Sequence, residues 1–150
     1  MTRRLRAAGA LLSLVILLQG CAVHLVADYD QQSEDRLITS YEKICRFYDD
    51  LSSATPEARA YEGFRERYPE IDTDLRVLLL RQKVRAKNDE SVQITAKILE
   101  AWEVTRDRHA RYSIDPDRAN DPYPESLIRF DRAQFDAHFQ AAVAAERAKK

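Results

Sequence analysis

The chain has 150 residues, a third of them charged, and a formal net charge of only −1. That balance argues against nucleic-acid binding and against a polybasic membrane surface. Its three glycines, Gly9, Gly20 and Gly63, exclude phosphate-cradling loops, dinucleotide fingerprints and nucleophile elbows, which need glycine where backbone crowds a ligand or takes a positive φ.

The first twenty residues read as an export signal. Arg3, Arg4 and Arg6 supply a positive start, and Ala7 to Leu18 form an apolar run. About twelve apolar residues fall short of the roughly 20 that a helix needs to cross a bilayer, so the segment is predicted to be cleaved. Leu18-Gln19-Gly20-Cys21 matches the lipobox, in which a small residue precedes a cysteine that is diacylated and becomes the new N-terminus. Residues 1–20 are therefore predicted as a lipoprotein signal peptide, with Cys21 as the lipid attachment site. A plain secretory signal with an incidental cysteine, or a buried helix, is the alternative. Removing the signal takes away three arginines and no acids, which leaves a mature chain of net charge −4.

Residues 21–32 are predicted as the lipidated N-terminus and a polar tether, because Asp28-Tyr29-Asp30-Gln31-Gln32 has no apolar period. Residues 33–150 form the predicted folded domain. Ser33 opens a first helix, with Glu34 and Asp35 where the helix dipole favours acids. Leu37, Tyr41, Ile44, Tyr48 and Leu51 follow at steps of four and three, one apolar stripe that ends at Ser52-Ser53. Thr55-Pro56-Glu57 is a strong helix start. The next stripe, Tyr61, Phe64, Tyr68, Ile71, Leu75 and Leu78, runs straight through Pro69. Proline ends or kinks a helix, but the unbroken register favours one long helix, about 56–86, kinked near Arg65–Pro69, over two separate helices.

Asn88 is the predicted cap of the next helix, with Asp89 and Glu90 in its first turn. Val92, Thr95, Leu99 and Trp102, flanked by Ile94 and Ile98, carry it to about His109. Residues 110–123, with Pro116 and Pro122, form one long irregular connection, either functional or merely mobile. A last helix begins near Pro124, turns Leu127, Ile128, Phe135, Phe139 and Ala142 inward, and ends on the basic Lys149-Lys150. The fold class is all-α: an antiparallel bundle of about four helices, with coiled-coil-like packing from steps near 3.5 residues.

Chemistry is hard to place on this chain. A di-iron site needs Glu-x-x-His, and neither His109 nor His138 has a glutamate three residues earlier. Covalent haem needs Cys-x-x-Cys-His, and the mature chain keeps no methionine for an axial ligand. Only Cys45 remains besides Cys21, too few for a zinc cluster. No catalytic residue, cofactor or metal is predicted. Cys45 reads as a buried lone thiol or as a solvent-facing one able to cross-link two chains. Paired with His109 or His138 as a nucleophile it would lack an evident oxyanion hole. His24 falls in the tether, His138 reads as a partly buried structural residue, and Trp102 as a core anchor. Arg76, Arg81, Lys83, Arg85 and Lys87 form either a solvated face or a site for acidic cell-wall or lipid groups.

The lipobox, the segment Ala27 to Asp35 and the Tyr/Phe-bearing first helix resemble small bacterial helical lipoproteins of uncharacterised function. Leu75 to Arg81, the Asn88-led helix and the Phe-bearing last helix are similar to that group too. The resemblance implies no substrate and no catalytic residues. With Ala22 after the cysteine, and no aspartate there to retain it, it implies sorting to an outer membrane, facing the periplasm. The expected function is non-enzymatic. The chain is expected to be a helical interaction module of the cell envelope, held to membrane lipid by its acylated cysteine and bound to an envelope protein partner. The alternative is a binding module for a small or polymeric envelope ligand, such as a cell-wall fragment, in a groove between helices.

Overall fold

The protein is seen as a computed structural model that describes residues 26–150. Five α-helices occur among these residues, four of them long: α1 (Gln31–Ser53), α2 (Tyr61–Phe64), α3 (Arg67–Lys83), α4 (Asp89–Ser113) and α5 (Glu125–Arg147). Single 3-10 turns lie at Pro56–Arg59 and Pro116–Arg118. No strand occurs among the described residues.

The four long helices pack as a closed bundle, each against two neighbours in the order α1, α3, α4, α5 and back to α1. Cross-helix pairs fix their directions. Between α1 and α5 the pairs Glu34–Arg147, Tyr41–Asp136 and Asp49–Arg132 rise on one helix and fall on the other. Lys43–Asp74 and Asp50–Arg67 do the same between α1 and α3. Arg76–Glu103 with Tyr68–His109 joins α3 to α4, and Trp102 meets Phe135 between α4 and α5. Neighbouring helices therefore run antiparallel, as short connections require.

The apolar stripes face inward as their spacing indicates. Leu37, Ile44, Tyr48, Leu51, Leu75, Leu78, Ile98, Leu99, Trp102, Ile128, Phe135, Phe139 and Ala142 are all buried. Phe47, absent from the stripe read in the sequence, is fully buried as well. Its ring meets those of Tyr68 and Trp102 edge-on at 4.9 and 5.1 Å, and Phe64 at 5.8 Å. An aromatic cluster fills the middle of the bundle, in the edge-to-face geometry that ring quadrupoles favour.

One long kinked helix over about 56–86 is not what forms. The chain breaks at Ala60, which is extended (φ −66, ψ 146). Arg65 and Glu66 then keep helical dihedrals without continuing the helix. Pro69 is the third residue of α3, so its missing N–H falls among the donors that have no intrahelical partner anyway. The near-helical Arg65-Glu66 turn explains why Phe64, Tyr68, Ile71 and Leu75 stay in register across the interruption.

Capping also departs from the sequence reading. Ser33 lies inside α1, where its hydroxyl donates to Asp30 at 2.6 Å. Asn88 holds the position before α4 but gives its amide to Gln82, donating to its carbonyl at 3.0 Å and its Oε1 at 2.6 Å. The 110–123 connection is shorter than expected, because α4 runs to Ser113. Tyr123 is fully buried and ties the connection to the core.

Candidate functional site

Cys21 and the signal segment 1–20 lie outside the described residues, as does His24. The first described residues do not hang free as a tether would. The Ala27 N–H donates to the Lys87 carbonyl at 2.9 Å, and Arg85 donates to the Asp28 carbonyl. Arg81 takes Asp30 at 2.8 and 2.9 Å, and the Asp30 N–H donates to Glu146 at 2.8 Å. Glu146 is fully buried and also accepts from Arg85 at 3.0 Å and Lys149 at 2.8 Å. Burial pushes its carboxyl up, but Arg85, Lys149 and the Asp30 amide outweigh that and hold it below the usual range.

This network bears on the basic stretch singled out in the sequence. Arg81 and Arg85 spend their guanidinium groups on Asp30 and Glu146, and Arg76 pairs with Asp72 and Glu103. Arg76, Arg81 and Arg85 are thus engaged within the fold, and the stretch does not form an open anion site.

The second feature is a groove of about 370 Å³ between α1 and α5, walled by Ile38, Tyr41, Phe139, Val143 and Ala144. Asp136, Gln140 and Arg147 complete its lining. Asp136 accepts from the Tyr41 hydroxyl at 2.6 Å, and Arg147 pairs with Glu34 at 2.6 Å. The Asp136 carboxylate beside Tyr41 raises the phenol's pKa and keeps it a donor. Walls are apolar, and two of the three polar side chains already have partners. The sequence reading placed Tyr41 and Phe139 in the core and did not find the groove, because Ile38 lies outside the α1 stripe.

The most concentrated polar chemistry lies inside the bundle. His109 is fully buried. Its Nε2 lies 2.7 Å from the Arg59 carbonyl, so that nitrogen carries the proton and donates. Its Nδ1, 2.8 Å from the Tyr68 hydroxyl, therefore accepts. Both ring nitrogens are spent on holding the 56–60 segment and α3 to α4, which removes His109 as a base for Cys45. Asp131, also fully buried, accepts from Arg108 and from the Tyr123 hydroxyl. Tyr123 and Asp131 hold Arg108 charged against a burial that opposes it.

Burial pushes His109 down from 6.5 to about 4. Between these values the unfolded chain takes up a proton that the folded chain refuses. Stability is then complete above pH 6.5 and falls as pH drops toward 4, by about 3 kcal/mol in all for this one group. Urea titrations from pH 7 to 4 should show that loss. In His109→Gln, whose amide can still reach the Arg59 carbonyl, the slope should flatten by one proton. An unchanged slope in the variant would mean that His109 titrates normally.

Cys45 is a free, half-buried thiol. His138 is half-buried, and its Nδ1 has no hydrogen-bond partner. Among the described residues no group of three or more His, Cys, Asp or Glu is placed to hold a metal ion, and no helix is long and apolar enough to cross a membrane. No protein-family model, curated protein or solved structure matches this chain.

Proposed function

We propose that this protein is a lipid-anchored helical module of the cell envelope that binds another envelope protein, without catalysis. The observation that carries the reading is the Leu18-Gln19-Gly20-Cys21 lipobox behind a short apolar run, joined to a bundle whose buried His109, Asp131 and Glu146 are each bonded to other groups of the fold. The groove between α1 and α5 supports a protein partner over a sugar-rich ligand. A cell-wall fragment needs unpaired polar groups that converge on it. Here Asp136 and Arg147 are already engaged, and Ile38, Phe139 and Val143 suit an apolar side chain laid between two helices.

Two experiments test the reading. Cys21→Ser should abolish acylation and leave the precursor uncut, whereas normal processing and membrane retention of that variant would contradict the anchor. A photo-activatable residue at Gln140 should capture one discrete envelope protein in cells, and Ala144→Arg, on the exposed rim of the groove, should abolish the adduct without changing the melting temperature. Unchanged capture in Ala144→Arg would remove the groove from the interface. Protection of the groove by purified cell-wall fragments instead would favour the ligand-binding alternative.

A further inference from the structure

The outer face of α3 carries an apolar stripe that no other helix covers. Val77, Leu80 and Val84 are spaced three and four apart and are 42%, 62% and 75% exposed. They lie opposite the buried Ile71, Leu75, Leu78 and Gln82. The stripe ends at the turn between α3 and α4, where Lys87 takes a left-handed conformation (φ 58). At the same turn the chain enters the bundle, because the Ala27 amide is bonded to the Lys87 carbonyl and Val26 beside it is 55% exposed. Exposed apolar side chains and the entering chain meet at one end of the molecule.

We infer that the C-terminal end of α3, from Leu80 to Val84, and the 84–88 turn rest on the bilayer surface to which Cys21 is attached, with the bundle axis rising away from it. The inference builds on the proposed acylation of Cys21. Given that anchor, only five residue steps separate Cys21 from Val26, a reach of at most about 18 Å at 3.3–3.6 Å per residue. The pinned Ala27 cannot pay out more chain without losing its bond to Lys87. A tether of the full dozen residues would let the bundle turn any face to the membrane. This one holds a single end against it. Ile114, at the far end of the 25-residue α4, lies about 37 Å away at 1.5 Å per residue.

The composition of this end fits an interfacial contact. Leu80 and Val84 are presented to the acyl boundary, and the long stem of Lys83 beside them can lie along it with its charge at the headgroups. The acids nearest the stripe are engaged by ion pairs within the fold, Asp72 and Glu103 with Arg76, and Asp74 with Lys43. Asp89 and Glu90 stand exposed just beyond the turn, so the contact does not depend on anionic lipid. The groove between α1 and α5 lies on a different side of the bundle and stays open to a partner.

The test uses the acylated full chain in phosphatidylethanolamine–phosphatidylglycerol vesicles containing a nitroxide-labelled lipid. In a Cys45→Ser background, an environment-sensitive fluorophore is placed on Val84→Cys or on Ile114→Cys, both highly exposed positions. The expected result is blue-shifted emission and strong quenching at position 84, with neither at 114. Equal quenching at both, or quenching at 114 alone, in a chain whose acyl group is verified by mass would overturn the orientation and leave the anchor standing. A chain whose Cys21 carries no acyl group would overturn both.

Discussion

Asp131→Ala should destabilise the bundle by about 3–5 kcal/mol, the scale for removing one partner of a buried ion pair. The carboxylate is fully buried and accepts from both Arg108 and the Tyr123 hydroxyl. Without it the guanidinium stays in place beside a phenol that cannot accept its charge, and the Arg108 Nε already lacks a partner. The damage comes from the stranded cation more than from the lost attraction. Asp131→Leu combined with Arg108→Met should therefore be much milder than Asp131→Ala alone. Urea unfolding of the three proteins checks both statements. A loss below about 1 kcal/mol in Asp131→Ala would mean that solvent at the Arg108 side chain, 18% exposed, screens its charge once the carboxylate is gone.

Trp102→Ala should cost about 3–5 kcal/mol, because it empties the largest fully buried site in the bundle. The indole stands within 5.9 Å of the rings of Phe47, Tyr68 and Phe135, so three helices besides its own lean on it. Its Nε1 donates to the Tyr68 carbonyl at 3.4 Å, a weak bond that adds little. Trp102→Phe should lose far less, since most of the ring packing survives. Phe130→Ala removes a ring that is 62% exposed, and should stay within about 0.5 kcal/mol. Circular dichroism is the right probe, because Trp102 is the only tryptophan. Equal losses at Trp102 and Phe130 would show that the aromatic cluster does not form.

The stripes of α1, α4 and α5 were legible in the sequence because a helix with one buried face must repeat its apolar residues near 3.6. Leu37, Ile44, Tyr48 and Leu51, with Ile128, Phe135, Phe139 and Ala142, obey that rule and are buried. The same rule misplaced the start of the second segment. Periodicity reports which residues share a face, and a helical turn such as Arg65-Glu66 preserves the face while ending the hydrogen bonds. Buried charges were not legible at all. Asp131 and Glu146 look like ordinary surface acids in the sequence, and only the arrival of Arg108, Tyr123 and Arg85 from other segments, with Lys149 three residues on from Glu146, makes their burial affordable. The groove escaped for a related reason, since it depends on how α1 and α5 sit together. Residues 26–30 read as tether because they lack a period, yet their backbone groups and Asp30 are held by α3 and α5.

Membrane attachment rests on Cys21, and the intact mass of the mature protein extracted from membranes tests it most directly. The expected mass is that of a chain beginning at Cys21 and carrying a diacylglyceryl group, with any further acyl chain on the new amino terminus. A chain still bearing residues 1–20, or one cut nearby with an unmodified cysteine, would contradict it.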